Sequence, residues 1–252
     1  MNKLGLIGYP LGHSFSKKYY VEKMQKENIL DVDYDLYPIP SISEFPELFA
    51  SGNTDFVGCN VTIPYKQAVM PYLQEISDEA KEIGAVNCIT IKHLPDGSTK
   101  LVGYNTDAYG FEQSLKKHWD PEKHHKALVL GNGGAAKAVL YVLKKLDISS
   151  QLVSRVKSDS AISYEELSEN MVSQSPLIIN CTPLGTFPNI EACPPIPYES
   201  IGKNHYLYDL IYNPEETLFL KRGRMQGAVT KNGLEMLILQ ADKNWEIWHQ
   251  AK

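Results

Sequence analysis

The strongest chemical signal in the chain is the run Val129-Leu130-Gly131-Asn132-Gly133-Gly134-Ala135-Ala136, where an apolar stretch opens into a glycine cluster and then into helix-forming residues. Its G-x-G-x-x-A pattern is that of a dinucleotide-binding turn. Gly131 and Gly133 permit a tight turn and a close approach to a pyrophosphate. Ala136 lets the helix pack on its strand, and the helix N-terminus offers unpaired N–H groups to the anion. Glycine-rich turns also serve as plain strand-to-helix connections, so the neighbouring residues matter. About twenty residues further on, where an NAD-binding unit usually places a carboxylate for the ribose 2′-hydroxyl, the chain reads Val153-Ser154-Arg155-Val156-Lys157. A carboxylate would repel a 2′-phosphate, whereas Arg155 and Lys157 attract one, which favours NADP over NAD. The same two cations also fit an ordinary solvated surface.

A nicotinamide cofactor handles only a hydride, so the alcohol proton needs a group of its own. Lys66 follows Asn60-Val61-Thr62-Ile63-Pro64-Tyr65, and Asp107 closes Gly103-Tyr104-Asn105-Thr106-Asp107; both lie just past a strand-like run, where α/β proteins bind ligands. A carboxylate beside the lysine favours its ammonium form while desolvation opposes it. Taken singly, Lys66 also reads as a solvated loop lysine and Asp107 as a helix N-cap. Near the start, Gly8-Tyr9-Pro10-Leu11-Gly12-His13-Ser14-Phe15-Ser16 places two hydroxyls before a helix. Ser14 and Ser16 fit a small carboxylate there, or ordinary turn formation and capping.

The elements that must position these groups alternate. Strands are expected at 3–7, 33–37, 56–61, 85–91 and 100–103, and helices at 16–26, 43–49 and 77–83, each opening on a serine as N-cap. A helix over 105–118 and a polar loop lead to a strand at 126–130, a helix at 135–146 and a strand at 151–153, a βαβ unit of the right size for the glycine turn. Strands at 177–180, 206–210 and 228–230 continue the second half, with Ser163 and Glu166 in capping-box spacing. The interval 183–197 carries five prolines and reads as an irregular loop. Residues 234–249 have helical periodicity. The fold class is therefore α/β in two lobes.

At 252 residues the chain holds one large or two modest domains. With 43% hydrophobic and 22% charged residues and a formal charge of −5, it has no basic surface for nucleic acid and no apolar run long enough to span a membrane. The first residues lead directly into strand-like sequence, not a signal peptide, so a cytoplasmic location is expected. Cys59, Cys88, Cys181 and Cys193 are widely spaced and read as reduced packing residues, and no metal site is expected.

Taken in order, these segments resemble the shikimate dehydrogenase family over nearly the whole chain. The His-Ser-x-Ser of residues 13–16 resembles its carboxylate-binding loop, and Asn60 to Lys66 its catalytic-lysine segment. Gly84-Ala85-Val86-Asn87 and Asn105-Thr106-Asp107 match two further segments. Gly131 to Ala135 matches its glycine turn, Ser154-Arg155 its 2′-phosphate site, Asp209-Leu210-Ile211-Tyr212-Asn213-Pro214 the segment beside the nicotinamide, and Gly233 to Ala241 the helix that packs back on the first lobe.

The resemblance implies a substrate lobe of residues 1–104 completed by 234–252, and a Rossmann-type lobe of 105–233 with NADP held in the cleft between the lobes. It implies reversible NADPH-dependent reduction of 3-dehydroshikimate to shikimate by a monomer or homodimer. Ser14, Ser16 and Tyr212 would hold the ring carboxylate, and Thr62, Asn87, Asp107 and Gln240 the hydroxyls. Lys66 and Asp107 would form the acid–base pair. Gly131, Asn132, Gly133, Gly134, Ala135, Ser154, Arg155, Lys157 and Gly233 would contact the cofactor. Where the family has Asn-Arg-Thr, this chain has Ser154-Arg155-Val156, one hydroxyl and one amide fewer, with Lys157 in a position to compensate. Rival readings are a relative that accepts quinate or prefers NAD, a sensor that binds NADP or shikimate without turnover, and a folate-pathway dehydrogenase of similar layout.

Overall fold

The computed structural model describes residues 1–12, 15–49, 55–95 and 97–250, and the chain divides into two compact units, 1–106 with 241–252 and 107–240. The first unit is built on β1 (Asn2–Gly8), α1 (Phe15–Lys26), β2 (Val32–Pro38), β3 (Phe56–Val61), β4 (Glu75–Ile76), α2 (Asp78–Ile83), β5 (Cys88–His93) and β6 (Thr99–Tyr104). The second contains α3 (Asp107–Leu115), β7 (Lys126–Leu130), α4 (Gly134–Lys145), β8 (Ser149–Ser154), β9 (Ala161–Ser163), α5 (Glu169–Ser173), β10 (Leu177–Asn180), β11 (Tyr206–Asp209), α6 (Leu218–Met225) and β12 (Val229–Lys231). The last helix, α7 (Leu234–Gln250), is shared: its first seven residues count with the second unit and the remainder with the first.

The first sheet runs β2-β1-β3-β5-β6-β4, with β1 parallel to β2 and β3, and β5 antiparallel to both β3 and β6. Because side chains alternate across a strand, β1 sends Ile7 into a cluster with Phe45, Phe56, Val61 and Tyr65, and Leu4 and Leu6 into one with Tyr20, Tyr34 and Trp248. Burial on both faces explains why these strands read as apolar runs. Helix α7 closes the second cluster: the Trp248 indole N–H donates to the Ile89 carbonyl at 3.0 Å, and the Tyr20 hydroxyl donates to the Ala241 carbonyl at 3.0 Å. The approach is close enough that a Cβ on Gly58 would lie 2.3 Å from the Trp248 ring.

The second sheet is parallel throughout, in the order β12-β11-β10-β7-β8-β9. Chain order reverses between β7 and β10, and in such sheets ligands bind beyond the carboxyl ends at this switch point. Leu128, Leu130, Val153, Ile178, Leu207 and Phe219 fill its core.

Several expected elements shift. The 43–49 segment is a 3-10 helix over Ile42–Phe49 with Pro46 inside it, and Ser43 is not its cap; the Ser43 N–H instead donates to the Ser41 hydroxyl. Likewise α1 begins at Phe15, so Ser16 sits within its first turn. Ser77 does cap α2, accepting from the Ala80 N–H at 3.2 Å. The Ser163/Glu166 capping box also forms, on a single 3-10 turn. Strand β5 starts at Cys88, three residues later than expected, and α3 spans only Asp107–Leu115. The side chains of Asn105 and Asn87 brace the two residues before α3, one donating to the Ala85 carbonyl and the other accepting the Thr106 N–H.

Candidate functional site

In the first unit the carboxyl ends of β1 and β3 lie side by side: the Thr62 N–H donates to the Ile7 carbonyl at 2.9 Å and the Tyr9 N–H to the Ile63 carbonyl at 3.1 Å. This sets Thr62, half-buried, next to the segment leading into α1. Ser16 is half-buried and its side chain is hydrogen-bonded to Tyr34. Ser14 lies outside the described residues.

After Pro64 the chain turns tightly, with the Tyr65 N–H bonded to the Thr62 carbonyl at 2.9 Å. Tyr65 is buried and its hydroxyl donates to the Ile39 carbonyl at 2.7 Å, which anchors the turn. Lys66 follows, half-buried, and its carbonyl accepts the Val86 N–H at 2.7 Å. The next residue, Asn87, is buried and faces the other way along the network. Its Nδ2 donates to Thr106 Oγ1 at 2.9 Å and its Oδ1 accepts the Thr106 N–H at 2.7 Å. The Thr106 hydroxyl donates to Asn244 Oδ1 at 2.6 Å, and Asn244 Nδ2 donates to the Tyr20 hydroxyl at 3.3 Å. Val86 and Asn87 thus brace both Lys66 and the residue that precedes Asp107.

Asp107 opens the second unit as the first helical residue of α3, not its N-cap, and is only 7% exposed. A carboxylate in a first turn is favoured by the helix dipole. Gln240 is buried, and its Nε2 donates back to the Leu237 carbonyl at 2.8 Å. Tyr212 is half-buried, and that burial pushes its phenol above the ordinary range. The Gly233 N–H donates to the Ile211 carbonyl at 3.0 Å, immediately before α7 begins.

The glycine turn joins β7 to α4 at the switch point. Gly131 has φ of +98°, and a Cβ there would sit 2.8 Å from the Thr182 methyl, so glycine satisfies both conformation and space. Gly133 is the N-cap of α4 and differs: a Cβ on it would meet nothing within 4 Å. A helix start capped by glycine, with open space in front of Gly133 and with Asn132, Gly134 and Ala135 around it, fits a pyrophosphate. At the end of β8, Arg155 is exposed, as a 2′-phosphate ligand must be. Its two neighbours are differently engaged. The Ser154 hydroxyl donates to the Val156 carbonyl and closes the local turn, and the Lys157 ammonium is paired with Glu166. The Ser154 hydroxyl proton is thereby committed to Val156, and Lys157 would share its charge with a carboxylate.

Sequence reasoning assigned no role to a buried polar cluster in the second unit. Asp209, fully buried at the end of β11, accepts from the Ile211 N–H at 3.0 Å, from Asn180 Nδ2 at 3.0 Å and from the Thr217 hydroxyl. Burial pushes its carboxyl up to about 7 against those three donors. The one available signal is a carboxylate ending an apolar strand.

Two α/β units, one of them an all-parallel sheet with a glycine turn at its switch point and an arginine past the next strand, define a protein of the dinucleotide-binding class. The comparisons with known proteins narrow this class. Residues 6–89 match the shikimate dehydrogenase substrate binding domain. The shikimate dehydrogenase (NADP(+)) of Clostridium beijerinckii is 41% identical, covering 100% of this chain and 93% of that protein, and its namesake in Methanococcus aeolicus is 37% identical, covering 99% and 92%. The crystal structure of shikimate dehydrogenase 1 from Peptoclostridium difficile superposes with a TM-score of 0.81 at 38% identity, covering 100% of this chain and 93% of that one. The chain belongs to the shikimate dehydrogenase family.

Proposed function

We infer that this chain catalyses the reversible reduction of 3-dehydroshikimate to shikimate with NADPH. The observation that carries the reading is the double brace at Val86 and Asn87, which holds Lys66 by its carbonyl and Thr106, the residue before Asp107, by its side chain and N–H. Binding alone does not require the Lys66 backbone and the residue before Asp107 to be braced in this way; proton transfer benefits from it, because its rate depends on placement. Lys66 and Asp107 act as the acid–base pair at the reacting oxygen.

Ser14, Ser16 and Tyr212 hold the ring carboxylate, and Thr62, Asn87, Asp107 and Gln240 the ring hydroxyls. So many polar partners are needed because each buried hydroxyl left unpaired costs about 1–3 kcal/mol. When bound, NADPH supplies the hydride. Gly131, Asn132, Gly133, Gly134 and Ala135 receive its pyrophosphate, Arg155 its 2′-phosphate in a bidentate grip, and Gly233 lines the nicotinamide side. With Ser154 donating elsewhere and Lys157 paired to Glu166, the preference for NADP rests chiefly on Arg155. The proposed division of labour is residues 1–104 with 234–252 for substrate and 105–233 for cofactor, bounds within seven residues of the two compact units. The enzyme works as a monomer or homodimer, and its composition suits the cytoplasm; among the described residues no helix is long and apolar enough to cross a membrane.

The test is the initial rate of cofactor reduction with shikimate and quinate, each with NADP and NAD. Turnover confined to shikimate and NADP is expected. Turnover with quinate or NAD moves the chain to a broader relative, and NADP binding without turnover leaves only the sensor reading.

A further inference from the structure

We propose that Asp209 is a positioning residue for cofactor binding: its carboxyl holds the loops leaving β10 and β11 in one register with the glycine turn after β7. The proposal rests on the reading that the second unit binds NADP.

Strands β7, β10 and β11 are adjacent in the sheet, and their carboxyl ends point the same way. At β11, Asp209 Oδ1 accepts the Ile211 N–H and so sets the segment leading to Tyr212. The same oxygen accepts Asn180 Nδ2 from the end of β10. Asn180 Oδ1 passes the constraint on, accepting both the N–H (3.0 Å) and the hydroxyl (2.7 Å) of Thr182, whose own Oγ1 accepts the Leu184 N–H at 3.2 Å. Thr182 in turn places its methyl where a Cβ on Gly131, the positive-φ residue of the glycine turn, would come within 2.8 Å of it. In the other direction, the Ile211 carbonyl accepts the Gly233 N–H at 3.0 Å, fixing the start of α7. One carboxyl therefore connects the pyrophosphate turn, the loop after β10 and the nicotinamide-side segment.

An apolar side chain of similar volume would fill this core without the desolvation that a buried carboxyl incurs. What it would lack is an acceptor reaching two loops at once. Asp209 Oδ1 serves in either protonation state, since an acid proton on Oδ2 can be accepted by the Thr217 hydroxyl, which also caps α6. Burial favours that protonated form. Asparagine reproduces it, with its carbonyl in place of Oδ1 and its amide facing Thr217; alanine does not.

The experiment is calorimetric titration of NADP into wild type, Asp209→Ala and Asp209→Asn, at a temperature where circular dichroism shows each fully folded, together with KM for NADP and for shikimate. Asp209→Ala is expected to weaken NADP binding by about tenfold or more, the scale of one or two lost hydrogen bonds. Its KM for NADP should rise by more than that for shikimate, which is affected only through the segment carrying Tyr212, and Asp209→Asn should stay within about threefold of wild type, because the acceptor survives. An alanine variant that melts earlier but binds NADP like wild type has lost only stability and overturns the proposal, as does an asparagine variant that fails as badly as alanine. Should Asp209→Ala not fold, Asn180→Ala removes the bridge that joins Asp209 to Thr182; undiminished NADP affinity there overturns the proposal too. A wild type that binds NADP but does not oxidise shikimate defeats the substrate reading while the titration still decides Asp209. A wild type that binds no NADP defeats both.

Discussion

The side-chain amide of Asn87 grips Thr106 at two points, donating to its hydroxyl oxygen at 2.9 Å and accepting its backbone N–H at 2.7 Å. Both residues are buried, so neither pole of the amide can turn to water instead. The last residue before Asp107 is thereby fixed by a residue nineteen positions earlier. Removing the grip leaves the buried Thr106 N–H without its acceptor, at a cost of about 1–3 kcal/mol. Asn87→Ala is therefore expected to lower kcat/KM for shikimate at least about tenfold, with NADP affinity by titration unchanged. Parallel loss of both would point to general destabilisation.

Lys66→Ala should separate chemistry from cofactor binding. The lysine belongs to the first unit and the glycine turn to the second. A general acid–base contributes about 10²–10⁴-fold to a rate, so kcat should fall by that order while the NADP dissociation constant holds. Equal losses in the two quantities would remove Lys66 from the proton-transfer role.

Gly133→Ala distinguishes space needed by the protein from space needed by a ligand. An added methyl at Gly133 meets no protein atom within 4 Å, whereas at Gly131 it meets Thr182 at 2.8 Å in a positive-φ conformation. Thermal unfolding of Gly133→Ala should stay close to wild type while its NADP affinity drops about tenfold or more, as expected when a methyl displaces a pyrophosphate from contact with backbone N–H groups. Gly131→Ala should lose both. Tight NADP binding by Gly133→Ala would show that the turn is only a strand-to-helix connection.

Gly58→Ala tests how α7 is seated. A Cβ there would overlap the Trp248 indole at 2.3 Å, and the indole cannot withdraw without giving up its bond to the Ile89 carbonyl. Overpacking of this kind costs about 1–3 kcal/mol. Differential scanning calorimetry should show a lower Tm, and Trp248→Phe in the same background should restore part of it by vacating the pyrrole edge; a Tm unaffected by Gly58→Ala would mean that the helix adjusts freely.

The pH dependence of stability carries a signature of Asp209. Burial raises its carboxyl from 3.8 to about 7 in the folded protein. For an acid whose folded pKa lies above its unfolded one, the fold favours the protonated form, so the associated stability is present below about pH 4 and is lost as pH rises through 7. Asp209→Asn removes this titration. Denaturant unfolding should thus show the asparagine variant gaining on wild type between pH 4 and pH 7 and holding its advantage above that; a difference independent of pH would mean that the three donors keep Asp209 ionised throughout.

Sequence alone determined what local rules govern. β7 and β10 fall at the expected residues, because an apolar run bounded by polar turns has one way to sit in a parallel sheet. The Ser77 cap and the Ser163/Glu166 box are likewise readable, since donor and acceptor lie within three residues of each other. So is the glycine turn, whose φ of +98° at Gly131 only glycine adopts cheaply. The short elements β4, β9 and α5 were not legible, being too brief to show a period, and α6 hides its apolar face behind Gly223 and the cations Lys221, Arg222 and Arg224.

Tertiary structure decided the rest. It paired the Lys157 ammonium with Glu166, which on the proposed reading leaves the 2′-phosphate chiefly to Arg155. It made Asn87 a clamp on Thr106, brought Asn244 across 138 positions to the same hydroxyl, and gathered Asn180, Ile211 and Thr217 around Asp209. A hydrogen bond between residues far apart in the chain leaves no mark on the spacing around either one. Its partners are chosen by which strand ends the sheet sets side by side, and that choice exists only once the chain has folded.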